Sequence, residues 1–199
     1  MTYKTVKHYA EAEIVEKKSR FIATVSPVTD DAEARAFVDK VRKKYPDARH
    51  NVYAYLTVDG MTRYSDDGEP KGTAGLPVLN VITKKELKGV AVVVTRYFGG
   101  ILLGAAGLLR AYTSAATAGI EAAEIFCVIP YDNLDVTVPF SLADKVKYEL
   151  SFFDLPECKT EYGEDVTYKL KVPSEKSDAL AARIKDVTAA KAVIKIQKP

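Results

Sequence analysis

Residues 89–112, GVAVVVTRYFGGILLGAAGLLRAY, bring charge, glycine and a helix start close together. An apolar run over residues 90–95 ends at Arg96 and Tyr97. Gly99 and Gly100 follow, and a helix rich in small residues opens near Gly104. A helix start carries backbone N–H groups without intrahelical acceptors, and the helix dipole adds partial positive charge there. The segment therefore predicts a site for a phosphate-like anion at Gly99, Gly100 and Gly104, flanked by Arg96 and Arg110. The same glycines would also serve a sharp turn and close helix packing, and their spacing matches neither GxGxxG nor GxxxxGK[ST].

Three further clusters carry chemistry. Ser65, Asp66, Asp67, Gly68 and Glu69 place three carboxylates within four positions, ahead of Thr73. Such a loop could hold Mg²⁺ beside a substrate phosphate, or form a structural or recognition turn, and its spacing is not that of an EF-hand. His50 is one of only two histidines; it lies just before a predicted strand, at the edge of a site. No GxSxG elbow is present, so no catalytic triad and no catalytic residue is assigned. Tyr53, Tyr55, Tyr64, Tyr97 and Phe98, with Arg20 and Arg96 nearby, are either core aromatics or rings on which bases could stack. No cofactor signature is found, and Cys127 and Cys158 lack metal-ligand spacing, reading as free thiols of a reducing compartment.

The bulk properties narrow the classes. The 199 residues are 47% hydrophobic and 28% charged, as expected of a globular protein of one or two domains. A net charge of +2 advertises no global basic field. Residues 1–124 hold 18 basic against 15 acidic side chains, and the remainder 11 against 12, so any nucleic-acid contact must be a local patch. The charged N-terminus shows no signal peptide and no run approaches a spanning length, which predicts a cytoplasmic protein without membrane contact.

The elements that would position these residues follow from patterning. Residues 20–25 read as a strand. Asp30 with Glu33 opens a helix whose apolar stripe is Phe37, Val41 and Tyr45, stopped by Pro46. Residues 51–58 and 61–65 read as a hairpin across Asp59-Gly60, and Thr73 as the cap of a short helix ending near Thr83. The uninterrupted valines of residues 90–95 predict a strand buried on both faces. From Ile125 onward the order is β-α-β-β-α-β, a ferredoxin-like pattern. An α+β protein with domains at 1–124 and 125–199 results.

Four segments, KKSRFIA from Lys17, HNVYAY from His50, SDDGEPKGTAGLPVL from Ser65 and VVVTRYFGGILLGAAGLLRAY from Val92, resemble the Impact N-terminal/YigZ family. Lys71 and Ala106 depart from its usual small residue and glycine. The resemblance implies a first domain folded like the second domain of ribosomal protein S five and domain IV of elongation factor G. It also implies the ferredoxin-like extra domain of bacterial members and a role in regulating translation, since eukaryotic relatives bind a partner protein. The candidate binding surface is Arg20, His50, Tyr53, Ser65, Asp66, Asp67, Glu69, Thr73, Arg96, Tyr97, Gly99, Gly100, Gly104 and Arg110. RNA or a ribosome-associated protein is the expected partner. A regulator that binds only protein and a Mg²⁺-dependent enzyme acting on a phosphorylated small molecule are the alternatives.

Overall fold

The structure is a computed structural model that describes residues 2–198. It divides into two compact units, of which one comprises Tyr3–Val128 and the other begins at Ile129. In chain order the first contains β1 (Tyr3–Val6), β2 (Ala10–Glu16), β3 (Ser19–Pro27), α1 (Asp31–Lys44), β4 (His50–Leu56), β5 (Thr62–Ser65), α2 (Gly75–Lys84), β6 (Val90–Tyr97), α3 (Gly104–Ala122) and β7 (Ile125–Val128). Five strands form one antiparallel sheet in the order β2-β3-β6-β4-β5. β1 and β7 form a separate antiparallel pair, which places residues 125–128 with the first unit.

β6 sits at the centre of the sheet because both of its faces are apolar. Val90, Val92 and Val94 pack into a core shared with α2 and α3, while Ala91 and Val93 face Phe37, Val38 and Val41 of α1. Alternate side chains of a strand point to opposite faces, so a continuous valine run needs cover on both sides. The small residues of α3 bring its backbone close to the sheet. A Cβ at Gly119 would lie 2.8 Å from Ala23 Cβ and 2.9 Å from Val25 Cγ2. α1 starts as its sequence suggests, with the Asp30 carboxylate accepting from the Glu33 N–H. α2 does not. Thr73 donates its hydroxyl to Pro70 O instead of capping, and Asp66 Oδ1 takes the Ala74 and Gly75 N–H groups.

The second unit contains β8 (Tyr131–Val138), α4 (Phe140–Leu150), β9 (Glu157–Tyr162), β10 (Val166–Pro173), α5 (Ser174–Val187) and β11 (Val193–Gln197). Its sheet order is β11-β8-β10-β9, with every neighbour antiparallel, which is the β-α-β-β-α-β arrangement read from the sequence. Leu134, Val136 and Val138 of β8 and Leu170 and Val172 of β10 meet Val146, Leu150, Leu180 and Ile184 of the two helices in a separate core. Among the described residues no helix is long and apolar enough to cross a membrane, and Cys127 and Cys158 are free and exposed.

Candidate functional site

A pocket of about 390 Å³ opens in the first unit where β4, the 66–75 loop, β6 and the start of α3 meet. Arg49, His50, Glu69, Arg96, Phe98 and Gly104 are among its lining residues, and Leu102, Leu103 and Leu108 supply an apolar side. β4 and β6 pair so that His50 lies opposite Arg96, which brings the two chemistries together from 46 positions apart in sequence.

Arg96 is the buried cation of the pocket, 5% exposed. Its Nη1 donates to Glu69 Oε1 at 2.6 Å, and the Tyr112 hydroxyl donates to the same oxygen at 2.8 Å. Burial, then the adjacent Glu69 charge, pushes the Tyr112 hydroxyl pKa far above the ordinary tyrosine value, so this phenol is a fixed donor. The Arg96 Nε is buried and makes no hydrogen bond among the described residues. A buried donor without an acceptor is costly, and such a group commonly marks the place of a bound water or ion.

The start of α3 supplies further donors. Leu103 occupies the cap position without a side-chain hydrogen bond, and no acidic side chain lies in the first turn. Gly104 has φ +71° and Ala105 lines the pocket, so the uncapped end of the helix faces the same space as Arg96. The double glycine upstream has a different task. A Cβ on Gly99 would lie 2.0 Å from the Lys18 carbonyl carbon, and the Gly99 N–H donates to Ser19 Oγ at 3.1 Å. The Gly99 amide is thus committed internally, and Gly100, at φ +83°, serves the turn. The free amides expected at Gly99 lie instead at the start of α3, at Gly104 and Ala105.

The acidic loop is held by its own carboxylates. Asp66 accepts from the Gly72, Ala74 and Gly75 N–H groups at 2.8–3.1 Å. Asp67 accepts from the Asn51 N–H at 2.7 Å and from Arg42 Nη2 at 3.0 Å, while Ser65 Oγ receives the Asp67 N–H. His50 Nδ1 lies 2.7 Å from the Asp67 carbonyl oxygen. These bonds lock the loop onto β4 and fix Glu69 under Arg96.

Of the residues singled out from sequence, His50, Glu69, Arg96 and Gly104 line the pocket, and Ser65, Asp66, Asp67 and Thr73 organise the loop beside it. The others lie elsewhere. Arg20 gives Nε and Nη2 to Glu13, and its guanidinium stacks over Tyr97, whose hydroxyl donates to Asp47. Tyr53 lines a second concavity with Arg35, Arg42 and Arg63. Arg110 is exposed two turns along α3 and is not part of the lining. Arg49 and Tyr112 complete the site without having been singled out. Tyr112 falls at spacing four from Leu108 and eight from Gly104, a helix-face pattern that reveals its direction.

Each of the two units contains a match to a known domain family. Residues 17–120 match the Impact N-terminal domain, and residues 136–191 match a domain of unknown function, DUF1949. The IMPACT family member YvyE of Bacillus subtilis is 36% identical over 196 residues, covering 98% of this chain and 90% of its own length. The IMPACT family member YigZ of Escherichia coli is 31% identical over 174 residues, 85% of each chain. A solved structure described as a hypothetical protein is 26% identical, with a TM-score of 0.65 over 100% of this chain and 97% of its own.

Proposed function

We propose that this chain, which belongs to the Impact family, is a binding protein that engages RNA of the translation machinery by holding a backbone phosphate in the pocket at the start of α3. The observation that carries this reading is the buried Arg96 guanidinium, with an unpaired Nε, beside an uncapped helix start. Both features favour a negative group, and each supports the other in a space partly shielded from water. Exposed Arg49, whose guanidinium lies 5.7 Å from the centre of the Phe98 ring, adds a second charge at the mouth. Phe98 itself is 41% exposed and available to a base.

Titration of a labelled single-stranded RNA and a hairpin RNA against salt tests this. Phosphate contact gives a log-affinity that falls linearly with log salt, and Arg49→Ala lowers the slope by about one. Affinity that is absent, or indifferent to salt, overturns the reading.

A protein partner is the second reading, favoured by the exposed apolar rim of Phe98, Ile101, Leu102 and Leu109, of which Leu102 is 84% exposed. A defined protein that co-purifies after nuclease treatment, and is lost with Leu102→Asp, supports it. The Mg²⁺-dependent enzyme draws no support from the acidic loop, because Asp66, Asp67 and Glu69 are engaged with backbone N–H groups, Arg42, Arg96 and Tyr112.

A further inference from the structure

His50 has a fixed role for each of its ring nitrogens. Nδ1 lies 2.7 Å from the Asp67 carbonyl oxygen, and a carbonyl only accepts, so Nδ1 carries the proton. In the neutral ring Nε2 is then an acceptor. It makes no hydrogen bond among the described residues, and Glu69 Oε1, at 3.9 Å, is beyond hydrogen-bond distance. The imidazole lines the pocket and is 12% exposed, so this lone pair borders the space shared by Arg96 and the start of α3. The ring has little room to turn. A Cβ on Gly68 would already lie 3.4 Å from His50 Cε1 and Nδ1, and the Asp67–Asn51 bond pins the segment that holds it.

An acceptor beside an anion site is informative about the ligand. A bare phosphate oxygen would meet the Nε2 lone pair unfavourably, whereas a hydroxyl next to the phosphate would satisfy it. In a nucleic acid the hydroxyl in that position is the ribose 2′-OH, the group by which a protein separates RNA from DNA. We infer that His50 Nε2 accepts a hydrogen bond from the 2′-hydroxyl adjacent to the phosphate bound at Arg96, and so makes the pocket selective for ribose over deoxyribose. This rests on the phosphate-binding reading above and adds the sugar to it.

The test compares an RNA oligonucleotide with the DNA of the same sequence, both single-stranded, at one salt concentration, on the full chain and on His50→Ala. The full chain binds RNA about fivefold to tenfold more tightly than DNA, the size of one net hydrogen bond. In His50→Ala that ratio falls towards one, because RNA binding weakens more than DNA binding does. Should His50→Ala fail to fold, His50→Phe keeps a ring in the space, removes the acceptor and is expected to behave in the same way. Equal binding of RNA and DNA by the full chain, or an RNA preference that survives in the variant, overturns the role of His50 and leaves phosphate binding standing. Absence of binding to either strand overturns the phosphate reading and the sugar selectivity with it.

Discussion

Arg96 and Glu69 expose 7% and 3% of their side chains, so their energetics differ from those of the surface pairs around them. Exposed pairs such as Lys4 with Glu86 contribute little, because water and salt screen them. A buried pair offsets its own desolvation only while both partners are present, and removal of one strands the other. Glu69→Gln leaves the Arg96 guanidinium in the core with no counter-charge and is expected to destabilise the first unit by about 3–5 kcal/mol in urea unfolding. The double variant Glu69→Gln/Arg96→Met should recover part of that loss; a single variant as stable as the parent would show that the pair is dispensable. The residue types of this site were legible in the sequence, but the pairings were not. Arg96, His50 and Glu69 stood out by type and spacing. That Arg20 is engaged by Glu13, and Gly99 by Ser19 Oγ, depends on strand register and on the turn at Lys17 and Lys18, both at positive φ. Neither is visible from the glycines and arginines alone.

At the scale of elements, the apolar and glycine-punctuated segments announced themselves, and the polar edge did not. β6 and α3 were legible because a valine run and a small-residue stripe each have one way to be buried. β2, AEAEIVE, has a mixed sequence with no clear strand signal, because it is an edge strand whose residues are half-exposed or exposed. The cap of α2 was misplaced for a related reason. Local spacing points to Thr73, yet the acceptor comes from Asp66, on the far side of the turn. Asp66 thereby does for α2 what an N-cap residue does, and also holds Gly72. Asp66→Ala frees three amides at once and should cost about 1–3 kcal/mol, seen as a lowered urea midpoint. Faster amide exchange at the start of α2, with the last turn of that helix unaffected, would place the loss at the cap. Uniform exchange across the unit would mean that Asp66 acts on the whole core instead.

At the scale of the whole molecule, two units with separate hydrophobic cores give the chain two places where its stability can respond to conditions. In the second unit, Asp132 is a buried carboxylate placed to respond to acid. This carboxylate is 1% exposed and accepts hydrogen bonds from the Ser174 and Ser177 hydroxyls at the start of α5. Those two bonds hold its pKa below the ordinary aspartate value despite the opposing effect of burial. The sign follows from linkage. A depressed folded-state pKa means that the unfolded chain binds the proton more readily, so stability rises with pH between the two values. The contribution is complete above the unfolded value of about 3.9, and it is lost as pH falls through the lower folded value. In Asp132→Asn this acid-dependent increment disappears, while the first unit, whose carboxylates are unchanged, keeps its own. Amide exchange resolves the units in the intact chain, with β8 and α5 reporting on the second and β6 on the first. The expected result is parent protection at β8 that weakens below about pH 4 and a variant whose β8 protection is lower at neutral pH and flatter with acid. Identical acid profiles at β8 in the two proteins would remove Asp132 as the source and shift the response to surface carboxylates such as Glu157 of β9.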